Sequence, residues 1–139
     1  MADDSQDISD YHDAVEGMLL DGEDLEAVLP SSDDIPNSLD HPAAIGVTSV
    51  RLIVCYRALD RGRSDRWGFR SIPFARIDGV ELWRDERFRR DRIEASASVI
   101  IRRGQLVNGD SGLIELHYPD PTTAREVHDR ILAHMLAAQ

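Results

Sequence analysis

Residues 46–57, GVTSVRLIVCYR, are the most apolar stretch in a chain otherwise crowded with Asp and Arg. The run has period two. Val50, Leu52, Val54 and Tyr56 fall on one face, and Arg51, Ile53, Cys55 and Arg57 on the other. β-Branched residues fill it and turn residues precede it, as in a central sheet strand. Its two arginines and its twelve residues rule out a membrane span, which needs about 18–20 apolar residues. Working outward, AAIGVTS predicts a preceding strand that turns at Thr48-Ser49.

Further strands follow on both sides. DGEDLEAVLP predicts a short first strand ending at Pro30, and residues 31–42 read as a loop or crossing. Residues 60–66, DRGRSDR, predict a polar hairpin tip, followed by a strand with Trp67, Phe69 and Ser71 on one face. Pro73 cannot donate to a ladder, so residues 74–77 read as a bend. Residues 77–104 predict a strand, a charged link and a second strand. There Ile93, Ala95, Ala97 and Val99 oppose Glu94, Ser96, Ser98 and Ile100. Asn108-Gly109 suits a turn before the last strand, GLIELHY.

Two helices flank these strands. Ile8, Tyr11, Val15, Met18 and Leu19 recur at spacings of three and four, which predicts a helix over 8–20 capped by Ser9 or Asp10, after an unstructured start over 1–7. After Pro119-Asp120-Pro121, Asp120 or Thr122 can cap a closing helix. Its stripe is Ala124, Val127, His128, Ile131, Leu132 and Met135. The division expected is an acidic N-terminal segment over 1–22 and a mainly β domain over 23–139.

Charge is segregated along the chain. Residues 1–40 carry 13 acidic residues and no basic one, and residues 41–139 carry all 16 basic residues, every one an Arg, against 13 acidic ones. The acidic arm disfavours duplex nucleic acid as a partner. The single cysteine, Cys55, excludes an internal disulfide and fits a cytoplasmic location. The start, MADDSQDISD, has neither the basic region nor the apolar core of a secretory signal.

The order of elements resembles a bacterial pleckstrin-homology-like domain. The resemblance rests on Thr48-Ser49-Val50-Arg51-Leu52 with its apolar strand, on SIPFARIDGVEL over 71–82, and on GLIELHYPDPTTAREVHDRIL running into the closing helix. It covers about residues 20–137. It implies a β barrel: curved, nearly orthogonal antiparallel sheets of six or seven strands in all, capped by the C-terminal helix. Members with this fold bind phosphoinositides or proteins, or assemble into oligomers, and the fold itself names no activity. Lipid-binding eukaryotic members use a basic loop between the first two strands. The corresponding stretch here holds Asp33, Asp34 and Asp40 and no Arg, which opposes that site.

The candidate contact surface is an arginine cluster with aromatic anchors: Trp83, Arg84, Arg87, Phe88, Arg89, Arg90 and Arg92, with Arg102 and Arg103. Arginine forks suit carboxylates and phosphates, and exposed aromatics anchor interfaces. The competing reading is a solvated loop, since Asp85, Glu86, Asp91 and Glu94 offset much of the charge. A second candidate is the tip Arg61, Arg63 and Arg66 with Trp67, facing anionic headgroups.

Reactive sites find no anchor. The five histidines make no HxH or HExxH pattern, and one cysteine cannot build a thiolate metal site. No nucleophile turn or phosphate loop is present, and Cys55 points inward. The reading is therefore a non-enzymatic protein-interaction or self-assembly module with no cofactor. Its alternative is a domain that binds a small molecule or anionic lipid.

Overall fold

The computed structural model describes residues 4–31, 42–60, 64–104 and 112–138. Helix α1 (Asp4–Glu16) precedes four strands: β1 (Leu25–Pro30), β2 (Ala44–Thr48), β3 (Arg51–Asp60) and β4 (Ser64–Pro73). A 3-10 turn (Phe74–Arg76) leads to β5 (Ile77–Arg89), β6 (Arg92–Arg103) and β7 (Leu113–Tyr118), and helix α2 (Pro121–Ala137) closes the chain. All pairings are antiparallel, in sheets of order β1-β2-β3-β4 and β5-β6-β7. The mainly β, pleckstrin-homology-like architecture expected from the sequence is therefore present.

The expected closed barrel is not. The strands form two open sheets. Where β1 nears β7, a side chain takes the place of a ladder: Ser31 Oγ accepts from the His117 amide at 3.0 Å and donates to its carbonyl at 3.4 Å. Pro30 ends β1 and Pro73 ends β4, and neither has an N–H to give.

The opening stretch lies at the centre of the fold. On one face Leu52 and Val54 join Ile45, Val47, Val99, Ile101, Ile114 and Leu116 between the sheets. On the other, Ile53 and Cys55 are equally buried, beneath Tyr11 and Val15 of α1. Val50, placed on the inward face by simple alternation, sits instead in the β2–β3 turn and is exposed. Helix α2 seals the main core with Ala124, Val127 and Ile131. Asp120 caps it, accepting from the Thr122 amide at 3.0 Å with Pro121 as the first helical residue.

Three local readings change. Helix α1 starts at Asp4 and passes through both predicted caps. Acidic residues suit the positive end of a helix, so the polar start folds into it rather than staying unstructured. It stops at Glu16, where Gly17 begins an irregular turn whose amide donates to the Asp13 carbonyl at 3.1 Å. The third change concerns the charged link over 83–92. It is not a link: β5 and β6 pair through it from Ile77↔Arg103 to Arg89↔Arg92. Phe88↔Ile93 and Arg87↔Glu94 match across the strands, and such pairs stabilise a hairpin where a core does not reach. The predicted turn at Asn108-Gly109 and most of the 31–42 crossing lie outside the described residues.

Candidate functional site

The β5–β6 hairpin runs past the core. From Leu82 to Ile93 every side chain that is described is exposed, including Phe88 at 79%, Ile93 at 57% and Trp83 at 55%. Strand alternation sorts these residues onto two faces. Leu82, Arg84, Glu86 and Phe88 share the face that continues the core, with Ala95 and Ile93 across from them. Glu81, Trp83, Asp85 and Arg87 share the opposite face. Arg90 makes the turn with a φ of 53°, a left-handed conformation that non-glycine residues seldom adopt.

The charges of this hairpin are locally paired. Arg84 Nε lies 3.7 Å from Glu86 Oε1, and Arg92 donates to Glu94 at 3.1 Å. Glu81 accepts from the Trp83 indole at 3.3 Å and is hydrogen-bonded to Arg102. The bond to Arg102 is the main reason the Glu81 carboxyl titrates below its ordinary range. Of the predicted contact residues, Trp83, Arg84, Arg87, Phe88, Arg90 and Arg92 therefore lie on one hairpin. Arg102 joins their outer face through Glu81. Arg89 occupies the last position of β5, opposite Arg92 in the register.

Arg103 lies apart from these. It lines a cleft of about 420 Å³ at the β4–β5 corner with Ser71, Ile72, Pro73, Ala75, Arg76, Asp78 and Gly104. Ile72, Pro73 and Ala75 give it an apolar part, and Arg76, Arg103 and Asp78 a charged one. Sequence reading missed this cleft because its lining comes from two separated stretches, 71–78 and 103–104.

A second feature the sequence did not declare joins the acidic arm to the sheet. Arg51 donates from Nε to Glu23 Oε2 at 2.8 Å, from one terminal nitrogen to Glu23 Oε1 at 2.9 Å and to the Met18 carbonyl at 2.7 Å, and from the other to Ser71 at 2.5 Å. Thr48 Oγ1 donates to Glu23 at 2.7 Å and accepts from the Arg51 amide at 3.0 Å. The Glu23 side chain is 2% exposed, and Arg51 above all holds its carboxyl at about 2. The Thr-x-x-Arg spacing that marked a strand turn thus also builds a socket for one acidic residue.

The other candidates take structural places. Trp67 packs edge-on against Tyr11 at 5.7 Å, with the Arg57 guanidinium 4.8 Å over its ring, so it anchors α1. Arg66 is exposed, and Arg61 and Arg63 lie outside the described residues. Burial pushes the Cys55 thiol up to about 11, which keeps it protonated and poorly nucleophilic. His134 stacks on Phe74 at 4.3 Å and meets Glu26 at 2.9 Å, pinning α2 to the corner and to β1. Among the described residues one His/acid group gathers, His12, Asp13 and Glu16. It is fully exposed, and helical i,i+4 pairing accounts for it. No helix among the described residues is long and apolar enough to cross a membrane.

No protein-family model matches the sequence, and no curated protein matches it. The solved pleckstrin homology domain from Shewanella amazonensis SB2B superposes with a TM-score of 0.58 at 16% identity, over 93% of this chain and 98% of that one. The fold is thus that of a pleckstrin homology domain.

Proposed function

We propose that this chain is a non-enzymatic protein-interaction module whose contact surface is the β5–β6 hairpin. The observation that carries the reading is the exposed Phe88–Ile93 pair at the hairpin end, flanked by Arg87, Arg90 and Arg92. Large apolar side chains that stabilise no core are retained at a cost in solubility, and aromatic–arginine combinations dominate binding energy at interfaces. The pleckstrin-homology fold supports an interaction role in general and is silent on the partner.

The test compares the full chain with Phe88→Ser and with Arg87→Ser as bait in extract of the source cell. A stoichiometric protein, whether distinct or the chain itself, is retained by the parent and lost from both variants, with melting temperatures unchanged. Equal retention by all three overturns the reading. Binding to phosphatidylserine vesicles that is lost from the same variants puts a lipid surface in the partner's place.

A second reading rests on the corner cleft. Arg76 and Arg103 in a cleft also lined by Ile72, Pro73 and Ala75 suit a small molecule bearing a phosphate or carboxylate. Calorimetry with inorganic phosphate and with inositol phosphates tests it. Binding lost in Arg76→Gln supports it, and no heat with any of these probes removes it.

A further inference from the structure

Strand β5 is the edge of its sheet, and its outer half, Leu82–Phe88, is exposed. Edge strands normally carry charges that discourage pairing. Here the charges are arranged so that the strand complements itself. Set antiparallel to a second β5 about a two-fold axis through Asp85, Arg84 falls opposite Glu86 of the second copy. Trp83 falls opposite Arg87 of the second copy, and Leu82 opposite its Phe88. Each match occurs twice by symmetry.

We infer that the chain forms a two-fold dimer by antiparallel pairing of β5 with β5 of a second copy, centred on Asp85. This deepens the hairpin reading above and rests on it, since it names the partner of the same surface. Register decides the geometry. A slip of one residue places the core face of one copy opposite the outer face of the other; in one direction it sets Arg84 against Arg87 and Asp85 against Glu86, and in the other it sets Leu82 against Arg87 and Trp83 against Glu86. A slip of two keeps the faces but opposes Leu82 with Glu86, or Arg84 with Phe88. The register centred on Asp85 alone, among these, matches apolar with apolar and cation with anion.

The product is a continuous six-stranded sheet, β7-β6-β5-β5-β6-β7. On the core-side face, Leu82 of each copy lies beside Phe88 of the other, with Ile93 one strand behind, so both exposed apolar side chains of β5 on that face gain an apolar neighbour. Arg84 and Glu86, already 3.7 Å apart within one chain, become a ring of four alternating charges around the axis. On the outer face, Arg87 reaches the Trp83 ring of the second copy, a cation–π geometry. The two bodies do not compete for space. At ~3.3 Å per residue, Glu81 and Arg89 are about 26 Å apart along the strand, so the bodies lie at opposite ends of the shared segment. The like charges of the paired Asp85 residues limit the affinity.

Sedimentation velocity of the full chain, from micromolar to near-millimolar concentration, gives the first reading: a concentration-dependent dimer. Arg84→Glu weakens it about tenfold or more. The swap Arg84→Glu/Glu86→Arg restores it to within about threefold, because the opposed pair is rebuilt with reversed sign. Asp85→Asn tightens it severalfold. Oxidation of Asp85→Cys gives a covalent dimer, and Leu82→Cys, whose opposite residue is Phe88, gives little. Overturning results are a monomer at every concentration, a dimer indifferent to Arg84→Glu, or cross-linking at Leu82→Cys in preference to Asp85→Cys. A monomer whose hairpin still retains a distinct protein overturns the self-pairing and leaves the hairpin reading standing. A monomer that retains nothing overturns both.

Discussion

The β3–β4 ribbon and the β5–β6 hairpin are built alike and end up in opposite circumstances. Both are long, and both mix arginines with aromatics. In the first, Ile53 and Cys55 are buried, Trp67 packs on Tyr11, and α1 covers the sheet face away from the main core. In the second, Leu82, Trp83, Phe88 and Ile93 have no such cover. Apolar side chains are thus buried on the ribbon, where a helix lies over them, and left exposed on the hairpin, where none among the described residues does. The same residue types are buried or exposed according to what is stacked on them.

The contrast breaks most sharply at Val15. A charge there, in Val15→Asp, is buried without a partner, and the expected loss is about 3–5 kcal/mol by urea denaturation. Phe88→Ser changes stability by about 0.5 kcal/mol or less, since its side chain is already in water. Comparable losses from the two variants would erase the distinction between the ribbons.

Gly46 sharpens it. A Cβ at that position meets Val15 Cγ1 at 2.5 Å, closer than atoms tolerate, so the glycine is the seat of the helix. Gly46→Ala is expected to cost about 1–3 kcal/mol by overpacking, and Val15→Ala in the same chain to recover part of that loss. Full additivity of the two changes would show that the helix does not sit in this seat.

The Glu23–Arg51 contact holds the other end of the acidic arm. Glu23→Gln removes about 1–3 kcal/mol at neutral pH. The sign with pH follows from the lowered carboxyl, at about 2 in the folded chain against 4.5 ordinarily. The folded state prefers the ionised form. The contribution is fully present above the ordinary value and is lost as pH falls through that range towards 2. Denaturation curves from pH 6 to pH 2 therefore fall less steeply for Glu23→Gln than for the parent, and parallel slopes would exclude the linkage.

A small gain is expected at the hairpin turn. Arg90→Gly relieves the left-handed strain and is expected to raise stability by ~0.5–1 kcal/mol in thermal melts. A loss of stability would mean that the Arg90 side chain holds the turn.

Much of this was open to a reading of residues alone. Period two over 50–57, the apolar–polar alternation over 93–100 and the stripe from Ala124 to Met135 each declare their element, because backbone geometry fixes which side chains share a face. Pro30 and Pro73 marked strand ends for the same local reason. The hairpin misread as a charged link shows the limit. Residues 83–92 have no apolar period, and only pairing with a partner strand makes them β. The candidate contact residues were legible as a cluster of arginines and aromatics. That Arg103 belongs to a separate cleft was not, since Ser71, Arg76 and Arg103 meet only through the corner.

By itself, then, the sequence determined the strand-rich class, the two terminal helices, the centrality of residues 46–57 and the segregation of charge. These are properties of local periodicity and composition. Tertiary structure alone decided that the sheets stay open, that α1 covers Ile53 and Cys55, that Glu23 finds Arg51 and that Phe88 and Trp83 are left exposed. Each of these depends on which distant surface comes to rest on which, and the free energy of such contacts belongs to pairs of segments rather than to either one.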